Sequence, residues 1–444
     1  MTGWTLCIDF GTAYSKAAAA PWNAWEHFEA HTVRPLMLNN SEDRPNPFLL
    51  ESAVFVDDER VLFGRVALAR AEAIGDRKHI ALRSFKTLLS VSDLDRALNT
   101  NAPGVIDPHR IFQMRDLIVL YLAYLMANIE RAVSADPLLA SAPLNRRYAA
   151  PAWRGGDSAG MHTSIMRLFG EAEELRAALG KKLLSDEGVS LQTITSALPR
   201  ATEAARPVDM GLIFEATAAA AYTSAGLEGS SSHLIVVDMG AGTTDIAGLA
   251  RQGGRTVELP EARMTLKQAG DFVDRIIANR VLEGAPWVRG PEQQSELWAV
   301  LMRQMGDIKE TVFAEGKAVM RHQGRSLSLA MRDIERDGDF RAFLKDLGAA
   351  YDHALAVVRA DATARGQAEV HAIAVGGGAG APFIQELLRR KPGSGRTRVM
   401  PRPATPEWAH AREFQGNLAP VFPQLAIAIG GALAPDAMLA ANGA

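Results

Sequence analysis

One short pattern occurs twice in the chain. Ile8-Asp9-Phe10-Gly11-Thr12-Ala13-Tyr14-Ser15-Lys16 near the start and Val237-Asp238-Met239-Gly240-Ala241-Gly242-Thr243-Thr244-Asp245 past the middle have the same plan. Each is an apolar strand ending in Asp, a glycine turn with Thr, and a second strand. The copies lie about 229 residues apart, too long for a solenoid repeat and suited to two duplicated lobes. A chain of 444 residues has the length for this, being about two to four typical domains. The fold class expected is α/β.

The residue types in these hairpins suit phosphate and metal chemistry. Glycine has no Cβ, so the backbone N–H groups of the turn can meet an anion directly. The Asp at the end of each strand, Asp9 or Asp238, can hold a hydrated Mg²⁺ while the turn holds phosphates. Two such hairpins facing each other are expected to clamp a nucleotide tail from both sides. A lone turn of this kind serves plain turn geometry as readily as a ligand, and it is the pair that favours the ligand. A third element, Ala374-Val375-Gly376-Gly377-Gly378-Ala379-Gly380-Ala381-Pro382, sets a glycine turn between a buried strand and a helix. A flat ring can lie against such a backbone, although a tight strand-to-helix connection uses the same residues.

Several function classes are disfavoured. Forty-eight Lys plus Arg against 51 Asp plus Glu give a net charge of −3, which leaves no global field for nucleic acid or anionic membrane. The run Arg389, Arg390, Lys391, Arg396, Arg398, Arg402 lacks neighbouring aromatics and reads as a solvated loop. The single cysteine, Cys7, excludes a disulfide framework and fits a reducing compartment. The histidines show no ligand spacing on one helix face, and Ser164, Ser196 and Ser230–Ser232 lack a nucleophile-elbow context. Trp287 and Trp298 read as packing residues. Asp9 interrupts the apolar start, so no secretory signal is expected, and the longest apolar run, Leu117 to Ile129, is shorter than the roughly 20 residues that span a bilayer. A cytoplasmic protein without a membrane segment is expected, and its arginine-over-lysine, alanine-rich composition hints at a bacterial source.

Along the chain, the hydrophobic periods predict strands at 4–20 around the first turn, at 233–250 around the second, and at 370–375. Helices are expected at about 66–74, 110–134, 158–178, 268–283, 293–315, 339–365, 382–390 and 424–434. Residues 185–209 give mixed signals. Lobe I is expected at 1–229 with an outer subdomain at about 37–106, and Ser230-Ser231-Ser232 as the linker. Lobe II is expected at 230–436 with an outer subdomain at about 265–367, followed by a short tail, 437–444.

In this order the motifs resemble the actin, heat-shock-70 and sugar-kinase ATPase superfamily, and within it the nucleotide-binding domain of heat-shock-70 chaperones. Residues 5–16 and 234–246 resemble the two phosphate motifs, and 373–388 the adenosine motif. Glu215-Ala216-Thr217-Ala218-Ala219-Ala220 is similar to the first connecting motif, with Ala216 in place of proline, and Pro423–Ala432 to the second connecting helix. Gly270-Asp271-Phe272-Val273-Asp274 resembles the segment that opens the second outer subdomain. The resemblance implies a two-lobed actin-like ATPase fold with duplicated ribonuclease-H-like subdomains, and ATP or ADP with Mg²⁺ as cofactors. It implies that Asp9 and Asp238 bind Mg²⁺ through water. Gly11, Thr12, Ala13 and Tyr14, with Gly240, Ala241, Gly242 and Thr243, would contact the phosphates. Glu215 would help position the attacking water, and Asp9 and Thr243 would also take part in catalysis. Lys309 would touch the ribose and adenine, and Gly376, Gly377 and Gly378 would lie along the adenosine. Glu310 and Gly380 stand where the family usually has arginines, so adenine preference is less secure than phosphate binding.

One departure concerns catalysis. The chaperones' catalytic lysine falls at Leu68 in Gly64-Arg65-Val66-Ala67-Leu68, and leucine polarises no phosphate. Lys16 stands seven residues after Asp9, as in actin-type relatives. Strand alternation puts it on the opposite face from Asp9 in an ideal hairpin, unless the turn restores the facing. Hydrolysis is therefore open between a catalytic Lys16 and a slow or inactive sensor. About a dozen residues follow Gly431, so a client-binding domain is not expected. The leading expectation is a heat-shock-70-like ATP-binding protein whose lobe closure regulates a protein partner. A bacterial actin-like filament-forming ATPase, with self-association, is the alternative, and a small-molecule kinase is third.

Overall fold

The apolar run that opens the chain becomes β1 (Trp4–Phe10), buried along its whole length, as a strand covered on both faces must be. The computed structural model describes residues 3–39, 46–75, 79–83, 85–89, 93–151, 158–224, 232–252, 255–390, 397–411 and 418–439. Contacts divide it into two units. Unit 1 is Met1–Ser230, Gln252–Val257 and Thr405–Ala444, and unit 2 is Ser231–Arg251 and Glu258–Ala404.

In unit 1, β1 pairs antiparallel with β2 (Tyr14–Pro21) and parallel with β7 (Leu144–Ala150). β7 in turn pairs parallel with β9 (Gly211–Phe214), and β3 (Arg34–Pro35) and β4 (Leu50–Glu51) pair antiparallel with β2. The order is β3-β2-β1-β7-β9. A separate sheet joins β5 (Val54–Val56), β6 (Arg60–Phe63) and β8 (Val189–Ser190), with α1 (Gly64–Ile74) leaving β6. Short α2 (Phe85–Leu89) and α3 (Leu94–Leu98) lead to α4 (Met114–Ala135). α4 is long and apolar enough to cross a membrane by length and composition, but Leu117–Ala123 and Leu125–Ile129 lie in the unit 1 core. α5 (Ser158–Leu179), α6 (Leu191–Ala204) and α7 (Glu215–Ser224) complete the helices before the second half.

α14 (Leu418–Leu433) also belongs to unit 1, where it packs on α7, β1 and β2. Two glycines let it approach: a Cβ at Gly430 would overlap the Ala218 carbonyl, and one at Gly431 the Cys7 Sγ. Arg147 on β7 is buried and donates to the Gly431 carbonyl at 2.9 Å and to Asp436 at 2.6 Å, which offsets the negative end of the helix.

Unit 2 repeats the sheet plan. β10 (His233–Met239) pairs antiparallel with β11 (Thr244–Gln252) and parallel with β15 (Glu369–Val375), which pairs parallel with β16 (Arg398–Pro401). With β12 (Arg255–Leu266) beside β11, the order is β12-β11-β10-β15-β16, position for position that of unit 1. Around it lie α8 (Gly270–Glu283), α9 (Gly290–Arg303), α10 (Met305–Glu315), the hairpin β13 (Lys317–His322) and β14 (Arg325–Ala330), α11 (Met331–Glu335), α12 (Gly338–Ala364) and α13 (Pro382–Leu388). Phe340, Phe343 and Phe383 meet in the core, Phe383 edge-on to both others at 5.5 and 6.0 Å. Trp287 and Trp298 are partly buried against the same core.

The molecule is thus a mixed α/β protein of two units, compatible with an actin-like two-lobed fold. Several boundaries differ from the sequence reading. Residues 405–436, assigned to lobe II, fold with unit 1 because α14 docks on the first sheet. The helix expected at 293–315 is two, α9 and α10, with the break at Gln304. The unassigned 185–209 holds β8, which completes the outer sheet through β6, and α6. α14 begins ahead of Pro423 rather than after it, and Thr405 Oγ1 donates at 3.2 Å to the Ala419 carbonyl, the one that Pro423 has no N–H to serve. Ser230 and Ser231 of the expected linker, Lys391 and Arg396 of the basic run, and 440–444 of the tail lie outside the described residues.

Candidate functional site

In the first hairpin the register pairs Asp9 directly with Lys16. Residues directly opposite across an antiparallel pair project from the same face. The turn therefore restores the facing that alternation along one strand would deny Lys16: its even number of residues brings residues of odd separation face to face. Lys16 Nζ lies 2.6 Å from Asp9 Oδ2, and the two residues are 9% and 1% exposed. Burying both charges is tolerable because each neutralises the other. The second oxygen, Asp9 Oδ1, is buried with no hydrogen-bond partner. It is an acceptor into which a metal-bound water would donate.

Gly11 is required here, since a Cβ would overlap the Tyr14 carbonyl and lie 2.9 Å from Lys16 Nζ. Thr12 and Ala13 are half-buried at the turn, and Tyr14 is exposed. Glu215 is the first residue of α7, just past β9. Pairing of Asp9 with Ala149 and of Ala150 with Phe214 aligns the ends of β1, β7 and β9, so Asp9 and Glu215 share the carboxyl edge of one sheet. Such edges are where open α/β sheets bind ligands. Cys7 is buried next to this edge. Burial pushes its thiol well above the ordinary value, Arg147 opposes this, and the Asp9 and Glu215 charges add to it. It is no nucleophile.

The second hairpin has the same register, with Asp238 opposite Asp245. Gly240 N–H donates to the Thr243 carbonyl at 3.0 Å and closes the turn. Thr243 Oγ1 donates to one Asp245 oxygen at 2.9 Å, and Thr265 Oγ1 to the other at 2.7 Å. The start of α8 lies against the turn: Gly270 N–H donates to the Gly240 carbonyl at 3.1 Å and Asp271 N–H to the Ala241 carbonyl at 2.8 Å. Each trans peptide points its N–H opposite its C=O, so these contacts aim the Ala241 and Gly242 amides away from α8.

The glycine loop joins the same corner of unit 2. Gly378 N–H donates to the Met239 carbonyl at 2.9 Å. Gly376 adopts φ +82°, and a Cβ there would overlap Asp238 Oδ1. Gly377 is exposed. Lys309 reaches Asp274 on α8 at 2.7 Å, one turn beyond Asp271. Unit 2 therefore gathers Asp238, Gly240–Thr243, Lys309 and Gly376–Gly378, and unit 1 gathers Asp9, Gly11–Tyr14, Lys16 and Glu215. Leu68 joins neither group. It packs on the outer cluster of Ala53, Phe55, Leu62 and Ala67.

Among the described residues no group of three or more His, Cys, Asp and Glu could hold a metal ion. A hydrated Mg²⁺ still fits, because that ion keeps several waters and needs only one or two carboxylates. Asp245 was not assigned by sequence reasoning, although it fills the place that Lys16 fills when the repeats are superposed. Ser52 and Tyr121, which contact the first hairpin, left no readable signal.

No family model matches the chain. A relative, the actin-like protein MamK of Paramagnetospirillum magneticum, is 48% identical over 52 residues, which is 12% of this chain. The match spans only 14% of that relative's length. This short likeness points to the actin-like ATPase superfamily, and nothing in it is particular to heat-shock-70 chaperones.

Proposed function

We propose that the chain is an actin-like protein that binds a magnesium nucleotide, ATP or ADP, and assembles with itself under control of that nucleotide. The observation that carries the reading is the Asp9–Lys16 pair at 2.6 Å on one face of a glycine-turn hairpin. It sets a cation and a carboxylate with one open buried oxygen beside turn amides, the set of groups that a phosphate and its hydrated metal use. The equal strand order of the two sheets supports a duplicated ribonuclease-H-like plan, and Asp238 with Gly240–Thr243 is its second copy. When bound, Mg²⁺ would neutralise phosphate charge; Asp9 and Asp238 would accept hydrogen bonds from its waters. Glu215, buried at the sheet edge, is the candidate to orient a water, and Lys16 to offset charge on the phosphates. Gly376–Gly378 and Lys309 are the candidate nucleoside side of the site.

A nucleotide switch acting on a protein partner is the second reading, favoured by the buried Glu215 and Thr217 at the β9–α7 junction, which match the chaperone-type connecting motif. Calorimetry with MgATP tests nucleotide binding. Asp238→Ala and Gly240→Val should lose it, and equal binding by both variants and the parent would overturn the site. Sedimentation with MgATP separates the two readings: nucleotide-dependent polymer is expected, and a monomer at every nucleotide state would overturn self-assembly.

A further inference from the structure

Three hydroxyls meet in the core of unit 1 behind the first hairpin. Ser15, Ser52 and Tyr121 are all at most 1% exposed. Tyr121 Oη lies 2.9 Å from Ser15 Oγ, Ser15 Oγ lies 3.0 Å from Ser52 Oγ, and Ser52 Oγ lies 2.8 Å from the Gly11 carbonyl oxygen. Counting protons fixes the direction of this relay. The Gly11 carbonyl only accepts, so Ser52 donates its one hydroxyl proton there. Ser52 then accepts from Ser15, and Ser15, its proton used, accepts from Tyr121. Burial pushes the Tyr121 phenol above its ordinary range, so it keeps the proton the relay needs.

The Ser52 backbone adds a second anchor, its N–H donating to the Ala13 carbonyl at 2.9 Å. The Gly11 and Ala13 carbonyls of the turn are thus both turned toward Ser52. The Gly11 carbonyl shares its peptide with the Thr12 N–H, which in a trans peptide points the other way. Hydrogen bonds in series polarise one another, and a carbonyl that accepts one makes the N–H of the same peptide a stronger donor. We propose that Ser52 and Tyr121 are positioning residues for anion binding: through Ser15 and the Gly11 carbonyl they aim and polarise the Thr12 amide for a nucleotide phosphate. This role rests on the nucleotide reading above.

The test is calorimetry of MgATP and MgADP with the full chain, its Ser52→Ala and Tyr121→Phe variants, and the double variant. Each single change should weaken binding about tenfold, the scale of one hydrogen bond. The double variant should be no weaker than the worse single, because both act through one relay. Phe85→Leu is the control: Phe85 stacks on Tyr121 at 4.9 Å, so this change loosens packing without touching a hydroxyl and should lower the melting temperature at unchanged affinity. If Ser52→Ala does not fold, Tyr121→Phe, which keeps the ring, decides alone. A parent that binds while both hydroxyl variants bind within twofold of it overturns the positioning role and leaves the nucleotide reading standing. Equal losses in Phe85→Leu and Tyr121→Phe overturn it as well, by showing general loosening. A parent that binds neither nucleotide overturns the nucleotide reading, and the positioning role falls with it.

Discussion

Replacing Lys16 with alanine leaves a carboxylate that is 1% exposed without its counter-charge. In the intact pair the ammonium lies 2.6 Å from Asp9 Oδ2, and the Lys16 side chain is itself only 11% exposed, so solvent screens little of the interaction. Breaking one side of a buried pair costs about 3–5 kcal/mol, far above the ~0–1 kcal/mol of a surface pair. At about 2–4 °C per kcal/mol for a unit of this order of size, Lys16→Ala should melt roughly 6–20 °C below the parent. The assay is thermal unfolding followed by near-ultraviolet circular dichroism at neutral pH without nucleotide. A double variant, Asp9→Asn with Lys16→Met, removes both charges while keeping approximate shape, and should recover most of the loss, because a neutral replacement of a buried pair is often harmless. A Lys16→Ala melting point within about 2 °C of the parent, or a double variant no better than the single, would refute the reasoning. The same substitution has a kinetic arm. If Lys16 faces phosphate, single-turnover hydrolysis of MgATP should slow by about a hundred- to a thousandfold, with ATP binding weakened more than ADP binding. Equal rates in parent and variant would confine Lys16 to a structural role.

Other substitutions probe separate parts of the molecule. Gly376→Ala forces a side chain into φ +82° against Asp238 Oδ1, so MgATP affinity should fall at least about tenfold in calorimetry, with a stability cost of roughly 1–3 kcal/mol. Gly430→Ala pushes α14 off the Ala218 carbonyl and should cost about 1–3 kcal/mol in denaturant unfolding, with no loss expected from the same change at Gly306 in α10, where nothing lies nearby and the backbone is helical. Burial alone would raise the Asp337 carboxyl, but hydrogen bonds from Phe340 N–H, Arg280 and Asp339 N–H outweigh it and hold it below its usual value. A carboxylate depressed in the folded state stabilises above its unfolded pKa of about 3.9 and loses that contribution as pH falls through the lower folded value. Asp337→Ala, which also removes the N-cap of α12, should therefore cost about 1–2 kcal/mol at pH 7, and the gap to the parent should narrow below about pH 4.

The parts of the fold that were legible in the sequence are those whose signal is local. Strands β1, β10 and β15 are short apolar runs bounded by glycine, and α12 carries a sustained helical period, so each is found within a few residues of its expected place. β8 is two residues long and exists because Val189 pairs with Val61, a partner about 128 positions away that no local pattern reveals. The β13 strand does alternate, with Ala318, Met320 and His322 inward, but its outward Lys317 and Arg321 dilute the apolar signal that marks a strand. The break at Gln304 is marked only by Gly306, a single glycine inside a continuing helical period, so α9 and α10 read as one helix. At the site, the facing of Lys16 was recoverable in principle, since an odd separation across an even turn fixes it. The Ser52–Tyr121 relay was not, because it joins residues about 69 positions apart through a tertiary contact.

The duplicated hairpins differ most at one position, and the difference sets their charges apart. Superposing the registers sets Lys16 where the second copy has Asp245. The first hairpin therefore carries one carboxylate and one ammonium, which sum to zero, and the second carries two carboxylates. A nearly neutral hairpin with turn amides can approach a phosphate directly, whereas a hairpin with two carboxylates approaches one best with a cation between them. A doubly negative hairpin suits a hard divalent cation that accepts oxygen ligands and keeps its waters. Asp245 is held by Thr243 and Thr265, and Asp238 lies beside the glycine loop at Gly376. Exchanging the charges tests this division. Asp245→Lys should weaken Mg²⁺ dependence of nucleotide binding more than nucleotide binding itself, read by titrating nucleotide with and without the metal. Lys16→Asp should do the reverse, lowering affinity in both conditions. If the two exchanges have the same metal dependence, the hairpins are chemically equivalent and the division fails.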